Sequence, residues 1–201
     1  MRSSMASAAA ALAILAAVLG FGAAGAGARQ TLQVKRFLLG RLEPNTGKFL
    51  ATGGRGETRA FRDSAILLVF SAPVDFESLG SRTVKIGIPT ASGLAAPAEG
   101  GFFRLYDLKK FDPVSGTYRV QRVYRNRVLF DPTNEQACPM NPGHGFEPFE
   151  GFEADTTYSV TVPGTDSGAL KTLRAGDGSP LATTFQTTFR TSAEFQAGDH
   201  R

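Results

Sequence analysis

Apolar residues in this chain recur at strand spacing rather than helix spacing. Ala65–Phe70 (AILLVF) is an unbroken apolar run of strand length, the pattern of a strand covered on both sides. Thr83–Ile88 alternates, with Val84, Ile86 and Ile88 on one side and Thr83, Lys85 and Gly87 on the other. Gly101–Tyr106 sets Phe103 and Leu105 opposite Phe102 and Tyr106. Thr117–Tyr124 and Arg127–Phe130 flank Arg125-Asn126, which is predicted to be a two-residue hairpin turn because Asn tolerates a positive φ. Tyr158, Val160 and Val162 share one face of Thr157–Gly164, and Phe185, Thr187 and Phe189 form the inward row of Phe185–Thr191.

Pro, Gly and Asp punctuate these runs at Ser71-Ala72-Pro73, at Asp131-Pro132 and through the turn-rich stretch Asp166–Pro180. No stretch after Ala28 keeps a helical period with caps. The pattern predicts an all-β chain, an antiparallel β-sandwich of about seven or eight strands, because strands buried on one face need a second sheet. With 16 Phe and no Trp, its core is expected to be rich in phenylalanine.

The first residues follow another rule. Arg2 precedes an apolar stretch from about Ala6 to Phe21, and small residues lead to Ala26-Gly27-Ala28. That is the layout of a signal peptide over 1–28, with cleavage after Ala28 and a secreted or extracytoplasmic product. An uncleaved N-terminal anchor is the competing reading, since Ala6–Ala28 is marginally long enough to span a membrane. Residues 29–57 are expected to form an N-terminal extension or linker, with a turn at Glu43–Gly47 and a flexible joint at Gly53-Gly54-Arg55-Gly56. The sandwich is expected over 58–191 with a loop inserted at 133–153, followed by a polar C-terminal tail, 192–201.

Without Arg2 the chain carries 21 Lys and Arg against 18 Asp and Glu. The basic positions are scattered, the densest being Arg119, Arg122, Arg125 and Arg127, which read as the wet face of a sheet. No nucleic-acid partner is expected, and no membrane contact beyond the signal sequence. The single Cys138 has no internal partner; it is a buried thiol, an exposed thiol or half of an intermolecular bridge.

The insert 133–153 holds the residues with most chemistry. Cys138, His144 and Glu147 are the weak candidates for a metal, but one Cys and one His lack the paired spacing of zinc sites. No calcium loop of the Asp-x-Asp-x-Asp-Gly type is present. Phe146, Phe149 and Phe152 recur every third residue, each followed by a glutamate; they either tack the loop onto the sandwich or make it an interaction loop. With two histidines, His144 and His200, and no Gly-x-Ser-x-Gly elbow, no catalytic residue and no cofactor is expected.

Five segments in order resemble the bacterial Ig-like domains found in S-layer and other secreted proteins. They are Ala65–Phe70 with Ser71-Ala72-Pro73-Val74-Asp75, then Val128–Pro132, Ala154–Val162, Gly178-Ser179-Pro180-Leu181 and Phe185–Thr191. The resemblance covers Thr58–Thr191, about two-thirds of the chain. The insert and the Ala-, Gly- and Pro-rich stretch Ala91–Gly100 depart from it. It implies an Ig-like sandwich with a non-catalytic structural, spacer or adhesion role at the cell surface, and an extracellular or cell-envelope protein or glycan as partner. The alternative is a carbohydrate- or small-ligand-binding module, with Tyr106, Phe146, Phe149 and Phe152 as stacking platforms.

Overall fold

Alternation along the apolar runs decides which face of each strand is covered. The computed structural model describes residues 31–55, 59–91, 95–97, 102–132 and 151–194. Ten strands occur among them: β1 (Val34–Leu42), β2 (Phe49–Gly54), β3 (Arg59–Ala60), β4 (Ala65–Phe70), β5 (Lys85–Pro89), β6 (Ala95–Pro97), β7 (Phe102–Asp112), β8 (Thr117–Asp131), β9 (Thr157–Val162) and β10 (Phe185–Thr191). They form two five-stranded sheets, ordered β2-β1-β4-β8-β7 and β3-β10-β9-β5-β6. All pairings are antiparallel except β3 with β10, so the second sheet is mixed rather than purely antiparallel.

The two sheets share one core. Phe37, Leu39, Ile66, Leu68, Phe70, Val128 and Phe130 of the first sheet join Ile86, Tyr158, Val160, Val162 and Phe189 of the second. Removing this apolar surface from water is the main stabilising term. β4 explains why an unbroken apolar run was needed. Its alternate residues Ala65 and Leu67 face away from that core and enter a second cluster with Tyr106 and Leu129.

What covers this second cluster is the segment expected to be a linker. The β1–β2 hairpin folds across the outer face of the first sheet and brings Leu38, Leu42 and Phe49 onto it. Lys109 donates its backbone N–H to the Thr46 carbonyl at 2.7 Å, and Phe49 donates its own to the Tyr106 hydroxyl at 3.0 Å. The extension predicted for 29–57 is therefore corrected over the described residues: Val34–Gly54 is sheet. Its apolar positions are split by Lys35, Arg36 and Arg41, which left no clean period to read.

The hairpin predicted at Arg125-Asn126 is also corrected. β8 runs through these residues, and the register steps from Leu105 opposite Val128 to Tyr106 opposite Tyr124, leaving the intervening β8 residues as a bulge. The turn lies at Asp112–Gly116 instead. There the Asp112 carboxylate accepts from the Val114 N–H and the Ser115 hydroxyl, and Gly116 N–H bonds the Asp112 carbonyl at 2.9 Å. Gly116 takes φ 66°, where a side chain would be strained. β1, β2, β3 and β6 add to the strands expected, while the runs expected at Thr117–Tyr124 and Arg127–Phe130 form one strand, so ten occur among the described residues where seven or eight were expected.

One end of the barrel of side chains is closed by loops. Leu173, Ala175 and Leu181 in the stretch after β9 are buried, and bridges tie Leu32 to Leu181 and Val74 to Ala175. Asp166 holds Thr184 from 18 residues away, accepting from its hydroxyl at 2.6 Å and from its N–H at 2.9 Å. At the other end Phe152 is wholly buried against Tyr158, Phe189 and Phe130, with ring centroids 4.7, 5.1 and 6.1 Å apart.

Candidate interaction surface

The residues singled out for chemistry divide in two. Cys138, His144, Phe146, Glu147 and Phe149 lie outside the described residues. Phe152 is described, and it is a core residue: its side chain has no exposed surface, so it cannot be part of an interaction loop. The preceding Gly151 has φ 90° and passes so close to Arg62 that a Cβ would stand 2.3 Å from its carbonyl oxygen. Phe152 N–H donates to that carbonyl, and the Arg62 Nε donates to the Phe152 carbonyl. The chain leaving the insert is thus pinned to the loop before β4, in line with the anchoring reading of Phe152. Tyr106 is likewise buried and unavailable for stacking. Among the described residues no group of three or more His, Cys, Asp or Glu is placed to hold a metal.

A different element presents itself to solvent. β7 and β8 are the longest strands, of 11 and 15 residues, and β8 pairs with β4 only from Arg127 to Phe130. Residues Thr117–Asn126 of β8 continue past the end of β4 as a two-stranded ribbon with β7, roughly 30 Å long at about 3.3 Å per residue. Its base is braced by the Val74 N–H donating to the Arg125 carbonyl and by Thr46 on Lys109.

Cross-strand pairing sorts the ribbon side chains into two faces. Lys109 stands opposite Val120 and Phe111 opposite Tyr118, whereas Leu108 faces Arg122 and Lys110 faces Arg119. The first face is apolar and the second cationic. The apolar row continues the core-facing side of the first sheet, as Phe103 and Leu105 do nearer the sandwich, but its side chains are exposed and join neither buried cluster of the described residues. Of the seven exposed large hydrophobic residues described, five are here: Phe111, Val114, Tyr118, Val120 and Val123. Val114, at the turn, is 96 % exposed. The ring of Phe111 stands edge-on to Tyr118 at 5.3 Å, so the pair is held as a unit.

Charge is concentrated in the same element. Between Phe102 and Asp131 there are seven Lys and Arg (Arg104, Lys109, Lys110, Arg119, Arg122, Arg125, Arg127) and three Asp (Asp107, Asp112, Asp131), an excess of four that equals the net charge of the whole chain. Arg104 pairs with Asp107, and Arg119 with Asp112 at 3.1 Å. Tyr106 and Tyr124 stack at 5.4 Å, Arg127 lies 4.1 Å from the Tyr124 ring centre, and Arg122 covers the same ring at 4.5 Å. These cation–π contacts hold guanidinium groups in fixed positions near the base. The Ser115 hydroxyl and the Val114 N–H keep the Asp112 carboxyl below its ordinary range, so the turn stays ionised.

An open cleft of 530 Å³ between Asp75–Thr83 and Leu170–Arg174 is the other concavity of note. Its walls bond one another: Asp75 caps Glu77, and the Ser78 hydroxyl accepts the Arg174 N–H. Its lining carries mixed charge, with Asp75, Glu77, Arg82 and Lys171.

Sequence reasoning located the arginines of the ribbon but not its apolar row. The usable signal was the alternation of Tyr118 and Val120 with Arg119, together with the turn-forming Asp112-Pro113-Val114-Ser115-Gly116. No family model matches the chain, and no curated protein or solved structure matches it.

Proposed function

We propose that this chain is a non-catalytic Ig-like module of the cell exterior that acts by contact, and that the β7–β8 ribbon is its contact element. The Ig-like part of the reading is supported by strand order. Setting aside β2, β3 and β6, the neighbours β1-β4-β8-β7 and β5-β9-β10 follow the ABED and CFG arrangement of a seven-stranded Ig sandwich. Tyr158, near the start of β9, accepts the Glu153 N–H at 2.9 Å, five residues upstream, in the manner of a tyrosine corner. The export part is supported by Arg2, the apolar stretch and Ala26-Gly27-Ala28.

The contact part is carried by one observation: most exposed large hydrophobic residues described belong to a single element, which also carries the chain's charge excess. A purely structural spacer gains nothing from an uncovered apolar row, whereas an interface needs apolar area with a polar rim. The test replaces Lys110–Arg119 by an Asn-Gly turn, which closes such hairpins well. The shortened chain is expected to keep its melting temperature and lose binding to a cell-envelope fraction. Retained binding would refute the ribbon as contact element.

A further inference from the structure

We infer that the ribbon tip docks onto an anionic lipid surface, dipping the Val114 turn with Phe111 and Tyr118 into the interface while a collar of lysines and arginines meets the headgroups. The inference rests on the ribbon being the contact element and names what it touches. It departs from the expectation of no membrane contact beyond the signal sequence: the hairpin gathers cations that are scattered along the sequence.

Charge comes first. Lys109, Lys110, Arg119, Arg122 and Arg125 are exposed around the ribbon, against the carboxylates of Asp107 and Asp112, which are paired to Arg104 and Arg119. A second copy of this chain would bring like charge to like charge, so the counter-surface is anionic. Arrangement comes next. Cations stand on both faces, Lys109 beside the apolar row and Lys110, Arg119 and Arg122 behind it. A folded acidic partner would engage one face, whereas a headgroup layer surrounds an inserted tip on every side. The most exposed apolar side chain of the ribbon, Val114, lies at its far end, ahead of the cations. Tyr118 has the amphipathic ring suited to that boundary, and long lysine and arginine stems reach from it to water. A soluble polyanion would need the cations but not the apolar tip.

The chain has no Trp, so Val114→Trp places a single reporter at the tip. With vesicles of equal parts phosphatidylglycerol and phosphatidylcholine, its emission is expected to shift to the blue, and with phosphatidylcholine alone to stay unchanged. Val114→Asp is expected to weaken vesicle binding by about tenfold, the scale of losing one buried aliphatic side chain. Lys109→Gln with Lys110→Gln is expected to weaken it by about 25-fold, about fivefold for each cation. All these positions are exposed, so an unchanged thermal melt checks that folding is intact. The inference is overturned if vesicles bind without a blue shift, or if heparin binds as tightly and is indifferent to Val114→Asp. It is also overturned if anionic vesicles do not bind; should ribbon shortening still abolish envelope binding, the contact reading survives and only the lipid assignment falls.

Discussion

The two halves of β8 carry similar side chains in opposite surroundings. Val128 and Leu129 are fully buried, while Val120 is 55 % and Val123 48 % exposed. Both halves pair with β7, and both alternate. The difference is the second layer. Val128–Phe130 pairs with β4 in the same sheet and enters two apolar clusters, whereas Tyr118–Val123 runs past the end of β4 and enters neither cluster of the described residues. Burial in a sandwich is therefore a property of overlap between sheets rather than of the strand itself.

The sharpest way to break this comparison is to damage the sandwich half. Phe152→Ala removes a fully buried ring that joins Phe130, Tyr158 and Phe189, and is expected to cost about 3–5 kcal/mol in denaturant unfolding. A loss under about 1 kcal/mol would show that this aromatic cluster is not packed as described. Tyr158→Phe keeps the ring and removes the partner of the Glu153 N–H; the expected cost is about 1 kcal/mol. Burial pushes the Tyr158 phenol above its ordinary range, so the ring stays neutral well into alkaline solution.

Acid separates the halves in a second way. Asp166 and Asp112 are both held below the ordinary carboxylate range by hydrogen bonds, Asp166 by Thr184 and Asp112 by Ser115. A carboxyl whose folded value is depressed stabilises above its unfolded value and loses that contribution as pH falls through the folded one. The bonds of Asp166 join two loops of the sandwich end, so Asp166→Asn is expected to flatten the fall of melting temperature below about pH 5. Those of Asp112 close within its own turn, which can partly form in the unfolded chain, so Asp112→Asn should flatten that curve less. Melting curves across acid pH decide it, and equal flattening by both would erase the distinction.

Smallest in stability is the ribbon itself. Val120→Thr is expected to change unfolding free energy by no more than about 0.5 kcal/mol. Hydrogen exchange should nevertheless divide β8, with amides of Thr117–Val123 exchanging well before those of Val128–Phe130. Uniform protection along the strand would mean that the ribbon is covered in the isolated chain.

How much was legible beforehand depended on whether a residue's partner could be read from its own run. The inward rows Tyr158, Val160, Val162 and Phe185, Thr187, Phe189 were plain, because period-two alternation marks a half-buried strand without reference to anything else. Ala65–Phe70 was legible as doubly covered for the same reason. The β1–β2 hairpin was not: Leu38, Leu42 and Phe49 are apolar because of Leu67 and Tyr106, which are far away in sequence. Arg125-Asn126 misled because a bulge and a turn use similar residues, and only register tells them apart. Phe152 fitted two roles, loop anchor and contact residue, until its neighbours Phe130 and Phe189 were in place.

The sequence by itself determined that this chain forms strands and few helices, and that its core is phenylalanine with branched aliphatics; local alternation and turn chemistry are enough for that. Tertiary structure alone decided that one strand outruns the described strands beside it, and that Lys109, Lys110 and Arg119 stand together next to one apolar tip. Exposure and charge density are set by which segments lie side by side, and pairing between distant segments is not written in any one of them.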